Sequence, residues 1–230
     1  MSTRSFSTIY FTIGIIFIAL ETIRATWPAI FVKALIMPIL VLIYYRLIRN
    51  QMNGFHRMIL SAFIFSWFGD ITLQLQQFND LFFMTGLCCF LIAQVLYLIA
   101  FFSTFGRNVL FFKRIYLILP VLAYGIVLLY FLYDGLGDMR IPVIIYAVVI
   151  LTMLTAALNR QWKVNRQSYL LVLTGAVLFV LSDSMIAIDK FAYSFLLARI
   201  AIMTTYITAQ YLIAVGCLKQ FEIQLEQNNL

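Results

Sequence analysis

Apolar residues in this chain come in long runs rather than in alternating stripes. Between short polar breaks lie eight mostly apolar windows, each close to the roughly twenty residues a helix needs to cross the hydrocarbon core of a bilayer. They fall at 7–23, 29–47, 58–76, 81–103, 115–133, 141–158, 169–188 and 195–218. The breaks carry turn-forming or polar residues: Trp27-Pro28, 50–54, Asn79-Asp80, 106–108, 134–138 and 159–165. Little chain is left for a soluble domain or a long linker. The pattern predicts an all-α integral membrane protein, a bundle of eight transmembrane helices forming one domain over 1–230.

Composition agrees. Of 230 residues 64% are hydrophobic and only 11% charged, against about 25% charged in soluble domains. A soluble nucleic-acid binder is excluded, and so is a disulfide scaffold, because Cys88, Cys89 and Cys217 lie in apolar runs and are expected to be buried thiols. The net charge of +7 is read as topology. On an eight-span layout Arg4, Arg46, Arg49, Arg57, Arg107, Lys113, Arg114, Arg160, Lys163, Arg166 and Lys219 share one side, against Arg24, Lys33, Arg140, Lys190 and Arg199 opposite. By the positive-inside rule both termini are cytoplasmic. No small-x-small cleavage site follows the first window, so it is read as a retained span rather than a signal peptide. The absence of targeting extensions fits a bacterial cytoplasmic membrane, with the bilayer as partner and no nucleic acid.

Asp70 and Asp183 lie in the third and seventh windows, and each is followed one window later by a similar string, Phe90-Leu-Ile-Ala-Gln94 and Tyr206-Ile-Thr-Ala-Gln210. Four windows separate the copies, an even number, which points to a parallel four-plus-four repeat. Chance likeness of apolar strings is the alternative.

An acid inside a membrane helix is costly, about 2.5 to 3.5 kcal/mol at the helix centre, and such residues usually face the bundle interior. Asp70 and Asp183 are the two that qualify, at similar depth a little past the midplane. Helical spacing gives them company. Ser66, Asp70, Gln74 and Gln77 make a polar stripe on the third window; Lys190 stands two turns beyond Asp183, with Gly175 and Ala176 two turns the other way, where a helix or lipid chain could come close. Gly86, Phe90, Gln94, Tyr97 and Phe101 line one face of the fourth window, and Arg199, Tyr206 and Gln210 one face of the eighth. Lys33 and Glu21 project from the second and first. Each has a bland alternative: interhelical hydrogen bonds or ion pairs for the acids, helix cross-links for the two glutamines, snorkelling to headgroups for Lys33, Lys190 and Arg199. Tyr146 and Met153 read as packing, and most Phe and Tyr as lipid-facing or interfacial.

The lone histidine, His56, reads as part of a cytoplasmic loop, so neither a His-rich zinc site nor a Ser-His-Asp triad is expected, and there is no GxSxG or glycine-rich phosphate loop. No metal and no cofactor is expected. What remains is carboxylate chemistry at Asp70 and Asp183, and a transporter moving protons or a small solute through the same acids is the rival.

The stretch from Gly175 to Phe191, centred on Ser182-Asp183-Ser184, resembles the most distinctive block of the YhhN-type lysoplasmalogenase family. Further blocks agree in order: Ser66-Trp-Phe-Gly-Asp70, the Gly86 to Phe101 face, Pro142-Val143 with Tyr146 and Met153, and Tyr206 to Ala214. The resemblance covers about 33–216. One departure is Gln94, where members often carry His. The resemblance implies hydrolysis of the vinyl-ether bond of a lysophospholipid substrate, with Asp70 and Asp183 as catalytic carboxylates. One would give a proton to the alkene carbon while the other stays ionised, as paired acids do in glycoside hydrolysis. Lys33, Lys190 or Arg199 would hold the phosphate, and Gln74, Gln94, Tyr97, Tyr206 and Gln210 would line the substrate.

Overall fold

A computed structural model describes residues 3–23, 25–104, 118–161 and 163–228, with side chains over 7–23, 25–104, 118–161 and 163–220. Arg24, Arg107, Lys113, Arg114, the break at 106–108 and the start of the fifth window at 115–117 lie outside the described residues, as does the side chain of Arg4. The described residues form eight α-helices and no strand: α1 Thr3–Thr22, α2 Thr26–Ile48, α3 Gly54–Leu75, α4 Leu81–Ser103, α5 Leu119–Leu132, α6 Arg140–Leu158, α7 Arg166–Phe191 and α8 Ala198–Asn228. Six of them, α2, α3, α4, α6, α7 and α8, are long and apolar enough to cross a membrane, and the apolar parts of the other two, Ser7–Thr22 and Leu119–Gly135, are shorter. The chain is a multi-pass membrane protein.

The helix ends follow from local chemistry. Asn53 accepts a hydrogen bond from the His56 amide at 3.0 Å and so caps α3; Asn165 does the same for Ser168 at 2.7 Å and starts α7. Trp27-Pro28 does not break the chain as expected. Both residues lie in the first turn of α2, where an amide N–H has no helical partner to lose. His56 also departs from expectation. The Asn53 cap starts the helix earlier than the apolar window, so His56 is in the first turn of α3, 1% exposed, with Nδ1 2.7 Å from the Tyr44 hydroxyl. Of the cysteines only Cys217 is buried; Cys88 is exposed and Cys89 half-buried. The aromatic residues divide: Phe17, Phe63, Tyr97, Phe101 and Phe179 are core, whereas Phe31, Tyr130 and Tyr193 face outward.

The chain forms two compact units, Met1–Leu96 and Tyr97–Leu230. In the first, α2 runs between α1 and α3. It buries Ala29, Lys33, Ile36, Met37, Leu40, Tyr44 and Ile48, a stripe at the spacing of one helix face. Trp67 of α3 donates to the Ala34 carbonyl at 2.8 Å and ties the two helices. The backbones of α3 and α4 each come close to a side chain of the other: a Cβ on Gly69 of α3 would stand 2.6 Å from the Phe90 ring, and one on Gly86 of α4 2.7 Å from Leu73. The two pairings fix α3 and α4 as antiparallel neighbours in register.

In the second unit α7 and α8 form the longest seam, with α6 against α7 and α5 against α6. Small residues let the α7 and α8 backbones touch, as is common where lipid gives helices no hydrophobic reason to associate. A Cβ on Gly175 would stand 2.9 Å from the Ala209 carbonyl oxygen, and one on Gly216 2.9 Å from the Val172 nitrogen. The close approach expected at Gly175 is therefore made by α8. Gly175→Ala is expected to cost about 1 to 3 kcal/mol, the usual penalty for overpacking, read as a lower denaturation temperature in detergent. An unchanged midpoint would show that the backbones do not touch there.

Candidate active site

In the first unit the expected polar stripe becomes a connected cluster. Asp70 is 3% exposed, and its Oδ1 lies 3.8 Å from Nζ of Lys33, which is itself buried on α2. The Lys33 ammonium also donates to Oε1 of Gln74 at 3.4 Å and stands 5.7 Å from the centroid of the Phe17 ring. Gln74 in turn donates to the Glu21 carboxylate on α1. Three helices thus converge on one network, and burial falls from Ser66 and Asp70 to half-buried Gln74 on α3 and exposed Gln77 in the turn beyond it, so the stripe opens toward the end of the helix. Lys33 does not snorkel: its charge is committed to a buried acid, an arrangement that lets an apolar bundle hold both.

Ser66 and Gln94 are both fully buried, and Ser66 Oγ and both amide atoms of Gln94 have no hydrogen-bond partner among the described residues. Gln210 differs. Its Oε1 accepts from the Tyr97 hydroxyl at 2.6 Å and its Nε2 donates to the Tyr206 hydroxyl at 3.3 Å, with Phe179 edge-on to both tyrosine rings. Tyr97, Tyr206 and Gln210, three expected substrate contacts, are bonded to one another in the interior of the second unit.

Asp183 is half-buried on α7 and accepts a hydrogen bond from the Tyr146 hydroxyl of α6. Tyr146 is therefore not a packing residue; its phenol is the polar tip of an otherwise apolar helix face. One residue on, Ser184 accepts from the Tyr124 hydroxyl of α5 at 2.7 Å, and Ser182 donates to the Ile202 carbonyl of α8 at 3.1 Å. The Ser-Asp-Ser block thus reaches three neighbouring helices with three consecutive side chains. Lys190 and Arg199 are exposed near helix ends, where a charged headgroup can be met.

The sequence pattern makes Arg160 a topological charge. It is instead fully buried, and Nη2 donates to Ser168 Oγ at 3.0 Å and Gln220 Oε1 at 2.9 Å while the guanidinium stands 5.1 Å from the Phe101 ring centroid. Its proximity to Lys163 and Arg166 hid it; the one sequence signal was its place two residues after Leu158, the last apolar residue of α6.

A protein-family model described as the YhhN family matches residues 28–217, from the first turn of α2 to the late part of α8. This chain belongs to the YhhN family. The YhhN match includes Lys33, Asp70, Gln74, Tyr146 and Asp183, whereas Glu21, bonded to Gln74, precedes it. Among curated relatives the chain is 31% identical to human "Lysoplasmalogenase TMEM86B" over 85% of its own length and 78% of the relative's. It is 33% identical to bovine "Lysoplasmalogenase TMEM86A" over 71% and 66%, and 30% identical to porcine "Lysoplasmalogenase TMEM86B" over 91% and 84%. No solved structure matches the chain.

Proposed function

We propose that this YhhN-family protein hydrolyses the vinyl-ether bond of lysoplasmalogens, releasing a fatty aldehyde and a glycerophospho-base, with Asp70 and Asp183 as its catalytic carboxylates. The observation that carries this reading is the likeness to proteins named lysoplasmalogenase over 85% of the chain. The chemistry of the residues suits it. A carboxylic acid delivers a proton to the alkene carbon remote from the ether oxygen, leaving an oxocarbenium ion. Water attacks the carbon bonded to that oxygen and gives up a proton to a carboxylate, and the hemiacetal collapses to aldehyde and glycerol hydroxyl. One water is consumed, and the acid regains its proton. Lys33 is assigned to Asp70 rather than to phosphate. Exposure of Lys190 and Arg199 near helix ends supports a role for them in meeting the lipid phosphate, with the alkenyl chain along the apolar helix faces. The side-to-side distribution of Lys and Arg supports eight spans with both termini in the cytoplasm.

The test is direct. Protein purified in detergent should release aldehyde from a lysoplasmenyl lipid and none from the ester-linked lysolipid, and in deuterated water the aldehyde should carry deuterium at C2. Absence of aldehyde would refute the hydrolase reading; aldehyde without deuterium would refute protonation at carbon.

A further inference from the structure

The buried and half-buried polar side chains of the first unit include two groups. Tyr44 and His56, Trp67, and the Lys33, Asp70 and Gln74 cluster have protein partners. Ser66 and Gln94 have none among the described residues, although both are 0% exposed. A buried polar atom left unbonded is rare, and in a membrane bundle solvent is not at hand to supply the partner. The packing register sets these two at one level of the α3 and α4 pair. Gly69 lies against Phe90 and Leu73 against Gly86, so one turn back along α3 and one turn forward along α4 puts Ser66 level with Gln94.

We infer that Ser66 and Gln94 form an uncharged subsite for a hydroxyl group, and that in the reaction this is the free glycerol hydroxyl of the lysolipid. The inference rests on the hydrolase reading and adds to it the group by which the substrate is held. An alcohol gives one donor and takes up to two acceptor bonds; the Gln94 carbonyl, the Gln94 amide and the Ser66 hydroxyl supply the complement. A phosphate or ammonium would meet no opposite charge in this pair. Spacing agrees with the chemistry. Ser66 is one turn from Asp70 on the same face of α3, a rise of about 5 to 6 Å. In a lysoplasmalogen the free hydroxyl oxygen and the alkene carbon that takes the proton are five bonds apart, about 5 Å in a bent conformation. A lipid anchored by its hydroxyl at Ser66 and Gln94 therefore presents its alkene to Asp70. A second acyl chain on that oxygen would remove the donor and add bulk at a fully buried position, so the subsite also selects the one-chain lipid.

The experiment compares a lysoplasmenyl lipid with its 2-deoxy analogue, which has hydrogen in place of the hydroxyl. The wild type should favour the hydroxyl substrate about 10- to 100-fold in kcat/KM, the cost of leaving buried partners unmade. Gln94→Leu, close in size, should lower cleavage of the hydroxyl substrate and bring the ratio near one. Ser66→Ala, a minimal change that keeps the inference testable if Gln94→Leu does not fold, should reduce the ratio several-fold. Equal cleavage of the two lipids by the wild type, or a ratio unchanged in the folded variants, would overturn the subsite while leaving the hydrolase reading intact. Aldehyde from neither lipid would overturn both.

Discussion

Asp70→Asn and Asp183→Asn are each expected to lower aldehyde release by about 10² to 10⁴-fold, the range that a positioned acid or base contributes, while the protein still elutes from detergent as a folded species. The amide keeps the shape of the carboxylate and loses its charge and its ability to exchange a proton; at Asp70 it also takes the counter-charge from buried Lys33, so folded elution is the control that separates chemistry from packing. The two positions are held differently. Asp70 is paired with Lys33 and linked through Gln74 to Glu21; Asp183 is held by the Tyr146 hydroxyl. Tyr146→Phe, which removes that donor, should therefore slow turnover far less than Asp183→Asn. Full activity in either Asn variant would return that acid to a role in holding the bundle.

Arg160→Ala is expected to cause the largest loss of stability, about 3 kcal/mol or more, because it empties the space of a large, fully buried side chain and takes the guanidinium donor from the Ser168 and Gln220 oxygens. One guanidinium joins Ser168 on α7, Gln220 on α8 and the face of Phe101 on α4. Ser168 passes the contact on to the Gly216 carbonyl at 2.6 Å, close to where α7 and α8 touch. Arg160→Lys should recover only part of the loss, since an ammonium cannot make the planar contacts of the fork. Thermal denaturation in detergent reads this, and a wild-type midpoint for the alanine variant would show that the guanidinium does not hold these helices.

The helices were legible because apolar run length in a membrane protein maps directly onto helix length; the 81–103 window and α4 coincide. Which face turns inward was not. Helices such as α2 and α4 are apolar all round, so periodicity carries no orientation, and only their few polar residues mark a side. That was enough to gather Ser66, Asp70 and Gln74 into one stripe with Lys33 nearby. It could not separate Gln94 from Gln210, which close similar strings, since the difference lies in whether tyrosines from other turns and helices arrive to meet the amide. Arg160 and His56 were misplaced for a related reason: their sequence neighbours are loop-like, and burial is decided by residues more distant along the chain.

The glycine contacts between α7 and α8 also bear on how a lipid can arrive. An alkyl chain is about as thick as two carbon atoms in van der Waals contact, roughly 4 Å, and at Gly175 and Gly216 even an added methyl group would collide with the opposite backbone. At those levels the pair forms a sealed wall, so a lipid tail moving sideways out of the bilayer cannot part α7 from α8 there and must reach Asp183 from another side.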